Sequence, residues 1–147
     1  MGLFDRLRQS TSTDITLGPA EAFAGIMLLA IAADGYAATE ELDLLYSTLS
    51  RMRMYRSYPN EVMRRMFDKL SGIVKRNGSD ALFQAAIKVL PHDLYETIFA
   101  VATDLVLADG QVTPEEEAIL QSLYKALQLD DALVNQIINV MIIKNKG

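Results

Sequence analysis

The 147 residues sit near the commonest single-domain size, with half of them hydrophobic and 22% charged, which excludes a disordered chain and supplies apolar surface enough for one core. The absence of cysteine excludes thiol nucleophiles, cysteine zinc sites and disulfide frameworks together. A net charge of -5 argues against nucleic acid as the principal partner, because phosphate binding is driven by Lys and Arg.

In chain order, Leu3 to Arg8 reads as one amphipathic turn, with Arg6 and Arg8 interrupting any secretory signal, and Gln9 to Asp14 as a polar linker. Pro19 suits a first helical position, and the helix it opens is expected to run to about Ala33, where Gly35 ends it. The apolar run Ala22 to Ala33 is shorter than the roughly 20 residues that span a bilayer, so it reads as a buried helix. No transmembrane segment is expected, and the cytoplasm is the expected location. A second helix, about Thr39 to Met52, places Leu42, Leu45, Leu49 and Met52 on one stripe. Pro59 starts a third, with Val62, Met66, Leu70 and Ile73 facing the core and Asn77-Gly78 ending it. Ser79 is expected to cap a short fourth helix through Leu82, Phe83, Ala86 and Leu90. A fifth begins between Pro91 and Asp93 and runs to Ala108, a sixth covers Pro114 to Leu127, and a seventh, opened by Asp130 or Asp131, covers Leu133 to Ile143.

Aligning Asp34 with Asp109 superposes IAADG on VLADG and TEELDLL on PEEEAIL. The expected fold is therefore an all-α, single-domain bundle of about seven helices with an internal pseudo-two-fold repeat. Repeat 1 spans about 18–52, a basic helical insert about 53–90, repeat 2 about 91–128 and the C-terminal helix 130–143.

Both copies carry Asp-Gly, five residues, then Glu: Asp34-Gly35 with Glu41, and Asp109-Gly110 with Glu116. This spacing matches the second half of an EF-hand loop. The first half is missing, because its ligand positions fall on Ala30 and Ala32, and on Leu105 and Leu107, none of which offers a side-chain oxygen. Helix punctuation accounts for the glycines, and Glu41 and Glu116 are favoured by the dipole of the helix they enter. Thr113 with Glu116 forms a capping box. The aspartates fit less well, since a carboxylate at a helix C-terminus faces the negative end of the dipole at a cost of roughly 0.3–1 kcal/mol. Two readings stand: acids that only shape turns, or carboxylates that hold a cation, Asp34 with Glu41 and Asp109 with Glu116, flanked by Glu40 and Glu115. Calcium or magnesium suits such oxygen ligands better than zinc.

Glu21 and Glu96 stand at expected third helical positions and read as caps, Glu96 together with Asp93. Asp104 belongs to a surface stripe with Thr97 and Ala100 or is a weaker metal candidate. His92, the only histidine, is expected to be exposed or capping. No phosphate loop, nucleophile elbow or dinucleotide fingerprint occurs, and no catalytic residue or organic cofactor is expected. Arg51 to Arg76 carries eight cationic side chains against Glu61 and Asp68. It reads first as a solvated helix face, and second as a contact for phosphates or anionic lipid, with Tyr55 and Tyr58 available to stack on bases.

The N-terminal GLFDRLR, the paired ADG turns each followed by an acidic helix start, and the ending LQLDDALV together resemble the TerB-like family of tellurite-resistance proteins, over nearly the whole chain. The resemblance implies an all-helical bundle with internal pseudo-symmetry and a role in tellurite resistance and wider chemical-stress responses. It also implies metal-chelating acids and non-enzymatic action beside protein partners, membrane-associated stress-response components among them, at the inner face of the membrane. The acids so implied fall on Asp34, Asp109, Glu41 and Glu116. The first copy departs from the second, with Ala38 where Thr113 stands and Ala37 in place of Val112.

Overall fold

The computed structural model describes residues 15–32, 37–108 and 110–147. The expected turn at Leu3 to Arg8 and the linker to Asp14 lie outside them. Among the described residues the regular structure is entirely helical, with seven α-helices and two short 3-10 turns. None of these helices is long and apolar enough to cross a membrane.

Pro19 occupies the first position of α1 (Pro19–Ile31), where its missing N–H leaves no helical bond unmade. The nine residues from Ala22 to Ala30 are all buried. A helix apolar on every side can only be covered on every side, and α1 packs against α2 (Thr39–Ser50), α3 (Asn60–Asn77), α4 (Ser79–Val89), α5 (Tyr95–Leu107) and α6 (Pro114–Ala126). It is the axle of the fold. At Gly25 the neighbours come closest: an added Cβ would meet Leu82 Cδ1 at 3.3 Å and Leu70 Cδ2 at 3.4 Å, so α3 and α4 press on α1 there.

The outer helices are amphipathic and bury one face each. In α2, Leu45 and Leu49 are fully buried and Leu42 packs at the core's edge as the stripe predicts; the helix ends at Ser50, so Met52, also packed at the core's edge, lies beyond it. In α3 the predicted face is displaced. Met63, Met66, Phe67, Leu70, Ile73 and Val74 are buried, whereas Val62 is 38% exposed. Phe67 lies on the buried side, where it meets Tyr46 edge-on at 5.0 Å, and Met63, one turn before it, is buried with it.

Gly78 joins α3 to α4 at φ +92, ψ 162, a region only glycine occupies without strain. Its N–H returns to the Val74 carbonyl, and its own carbonyl accepts from Leu82. Gly78, not Ser79, is thus the N-cap position of α4, and Ser79 is the first helical residue.

A 3-10 turn, His92–Leu94, precedes α5, and α5 packs against α1; both helices have thirteen residues. The buried Thr103 donates its hydroxyl to the Phe99 carbonyl at 2.7 Å. The last turn of α6 closes with Gln128 at φ 52, the Gln128 N–H on the Lys125 carbonyl and the Leu129 N–H on the Tyr124 carbonyl. Asp130 then caps α7 (Asp131–Lys144) by accepting from the Leu133 N–H at 3.3 Å. α7 rests on α5 with no fully buried residue.

Candidate functional site

The two connections that carry the ADG sequences run from α1 to α2 and from α5 to α6. Asp34 and Gly35, within 33–36, and Asp109 lie outside the described residues. What flanks them is described on both sides. At the first connection the Ala32 N–H closes on the Leu28 carbonyl at 2.8 Å. At the second, Gly110 adopts φ +81, and its N–H returns to the Leu107 carbonyl at 3.1 Å. The left-handed glycine expected after the helix is present at Gly110.

Glu116 and Thr113 form a complete capping box. The Thr113 N–H donates to Glu116 Oε1 at 2.9 Å, and the Glu116 N–H donates to Thr113 Oγ1 at 3.1 Å. Glu41 holds the equivalent position in α2, where the Ala38 N–H donates to its Oε1 at 3.0 Å. Only the carboxylate half of the box exists there, because Ala38 has no hydroxyl to return the bond. Each glutamate thus commits one oxygen to a backbone N–H, and its Oε2 has no protein partner among the described residues. Both side chains are half-buried, and Glu40 and Glu115 beside them are exposed.

A third glutamate uses the same device at the start of α1. The Gly18 N–H donates to Glu21 Oε1 at 3.0 Å, while Lys69 of α3 donates to Glu21 Oε2 at 2.8 Å and to the Thr16 carbonyl at 3.2 Å. Burial acts to raise the Glu21 pKa, but the Lys69 hydrogen bond, the Gly18 N–H and the Lys69 charge outweigh it and hold the carboxyl below its ordinary value. Glu21 is a cap and a strut between α1 and α3. Glu96 does not follow the expected pattern: the 3-10 turn at His92–Leu94 delays α5 to Tyr95, so Glu96 is its second residue and makes no box with Asp93. The turn also places the exposed His92 ring against Tyr95, with centroids 4.6 Å apart.

Asp104 has a role that sequence reasoning missed. Its Oδ1 accepts from Lys144 Nζ at 3.1 Å and from Asn145 Nδ2 at 2.8 Å, fastening the end of α7 to α5. The partners are 40 and 41 residues away, so no local pattern announces them. Tyr55 likewise departs from the sequence reading. It is 2% exposed and its hydroxyl donates to the Ala20 carbonyl at 2.7 Å, which removes it from any base-stacking surface.

The end of α1 and the start of α6 are brought together. Leu29 forms part of a cleft of about 660 Å³ whose other walls include Asp80, Phe83, Glu115, Ile119 and Lys125. The residue five before Asp34 and the residue six after Asp109 therefore face one open space.

Comparison of the sequence with protein families matches residues 20–139 to the family model described as tellurite resistance protein TerB. The comparisons with curated proteins and with solved structures give no match.

Proposed function

The chain belongs to the TerB family, and from that premise we propose that it is a non-enzymatic module of tellurite resistance and chemical-stress response that binds divalent cations and engages protein partners. The observation that carries the cation reading is the matched geometry of Glu41 and Glu116. Each is oriented by the backbone N–H three residues after the glycine of an ADG sequence and has a second oxygen without a protein partner among the described residues. A carboxylate whose orientation is already fixed loses less freedom on taking a metal. Asp34 with Glu41, and Asp109 with Glu116, would supply hard oxygen donors, and Glu40 and Glu115 add negative charge nearby. Such a set suits calcium or magnesium, with zinc disfavoured in a chain that has one histidine and no cysteine. The partners proposed are stress-response proteins, membrane-associated ones included, met at the cytoplasmic side.

A second reading has its own support: capping alone explains where Glu41 and Glu116 stand, so the elements can be structural and the module can act only through protein contacts. The Asp109→Asn variant separates the two. Under the cation reading, calcium or magnesium raises the melting temperature of the wild type, and the rise shrinks in the variant. Under the structural reading, both proteins melt alike with and without cation.

A further inference from the structure

Charge is divided along this chain. Residues 51–76 hold eight cationic side chains against Glu61 and Asp68, while all other residues together hold six cations and seventeen acids. Five of the eight cations lie on one side of a single helix. In α3 the apolar side is spent on the core, so the opposite side is left to solvent along the whole helix, about 27 Å at 1.5 Å per residue. Arg64 and Lys75, and Arg65 and Arg76, are eleven residues apart, close to three full turns, and Lys69 follows Arg65 by one turn, so all five lie on that outer side. Each of the five is exposed. The preceding 3-10 turn, Arg53–Tyr55, adds the exposed Arg53, with the exposed Arg56 directly after it.

This surface is neutralised in part: Lys69 is taken up by Glu21 at 2.8 Å, and the exposed acids Glu61 and Asp68, one turn from Arg65 and Arg64, share the outer side of α3. Arg65 pairs with Glu61 at 3.2 Å, but both side chains are more than 70% exposed, and such pairs are weak. Arg53, Arg56 and Arg64 make no ion pair among the described residues. Val62 stands at the border of the face, 38% exposed.

We propose that the outer face of α3, with Arg53 and Arg56, docks on an anionic lipid bilayer through its headgroup phosphates. The occupant follows from charge complementarity. The outer side of α3 runs the length of an 18-residue helix and carries more cations than acids in a chain that is acidic elsewhere, which suits a surface of negative headgroups. Nucleic acid fits it less well. Tyr55 is buried, and Tyr58 packs edge-on against Tyr55 at 5.6 Å, so neither ring is a free platform for bases. This inference stands apart from the cation reading, because none of its residues belongs to the ADG elements.

The test is co-sedimentation of the full chain with vesicles, in the presence of a chelator so that no cation bridges protein to lipid. The protein is expected to sediment with vesicles of equal parts phosphatidylglycerol and phosphatidylcholine, to stay in solution with phosphatidylcholine alone, and to be released by added salt. Reversal of exposed charge in Arg64→Glu/Arg65→Glu, and separately in Arg53→Glu/Arg56→Glu, is expected to weaken binding at least about tenfold, whereas Lys125→Glu on α6 leaves it within about twofold. Absence of binding to the anionic vesicles overturns the proposal. So does binding that both double variants retain, or binding to a DNA oligonucleotide as tight as that to the vesicles.

Discussion

The hydroxyl of Tyr55 donates to the Ala20 carbonyl across 2.7 Å, tying the turn before α3 to the first turn of α1. The ring is held edge-on by Phe23 at 6.3 Å and by Tyr58 at 5.6 Å, so Tyr55→Phe removes the bond while leaving the packing in place. The variant is expected to lose about 1 kcal/mol in denaturant unfolding, the usual net worth of one intramolecular hydrogen bond. Burial, reinforced by neighbouring Tyr58, pushes the Tyr55 pKa well above the ordinary tyrosine range. A pKa raised by folding means that the stabilisation is complete below the unfolded value of about 10 and is lost as pH climbs past it. The stability gap between wild type and variant should therefore close in strong alkali. A gap that is absent at neutral pH, or that grows with alkali, contradicts this account.

Glu21 gives the opposite sign. Its folded pKa lies below the ordinary value because the Lys69 bond and the Gly18 N–H outweigh burial, so its contribution is present above the unfolded glutamate pKa and is lost as pH falls through the lowered folded one. Glu21→Gln keeps an oxygen for the Gly18 N–H but gives up the ion pair. With Lys69 44% exposed, the expected loss at neutral pH is only about 0.2–1 kcal/mol. The difference should vanish in acid, which unfolding curves at two pH values measure directly. A loss that persists undiminished in acid is the contrary result.

The capping boxes separate local structure from any cation chemistry. Thr113→Ala leaves the Glu116 N–H without its cap and is expected to cost about 1 kcal/mol. Glu116→Gln retains an oxygen for the Thr113 N–H, so without added cation it should be nearly neutral while lowering any cation-dependent gain in stability. Thermal melts of the two variants with and without calcium check both statements. Equal cation responses in wild type and Glu116→Gln remove Glu116 from the proposed site.

Two turns make a matched pair of backbone tests. Gly78 at φ +92 sits where other residues are strained by about 1–3 kcal/mol, so Gly78→Ala should destabilise by that order even though open space surrounds the added methyl. Gln128 at φ 52 occupies the position where helices usually place glycine, and Gln128→Gly is expected to stabilise by up to about 1 kcal/mol. Chemical denaturation of both variants reads the two signs, and a stable Gly78→Ala protein would refute the strain argument.

Much of the fold was legible because its signals are local. Pro19 and Pro114 at first helical positions and Asp130 as a cap act within a turn of where they stand, and the structure places those helix starts accordingly, while Gly78 ends α3 as read but takes the cap position of α4 expected for Ser79. The unbroken apolar run of α1 announced a helix covered on all sides. Contacts made across the fold were not legible. Phe67 meets Tyr46 and Met63 is buried where Val62 was expected, Tyr55 reaches a carbonyl 35 residues away, and Asp104 holds Lys144 and Asn145 at the end of α7. The 3-10 turn that displaced Glu96 is a tertiary adjustment of one turn, below what spacing alone resolves. Of the candidate site, Glu116 was readable as the third residue of a capping box and Glu41 as a first-turn acid, and their shared hydrogen-bond geometry is what the structure adds.

The central claim, that the two ADG–Glu elements hold divalent cations, is tested most directly by calorimetric titration of metal-stripped protein with calcium, magnesium, manganese and zinc. The account predicts binding by the wild type, with calcium or magnesium favoured over zinc, and its loss in the Asp34→Ala/Asp109→Ala double variant. No heat of binding in the wild type, or binding unchanged in the double variant, would contradict it.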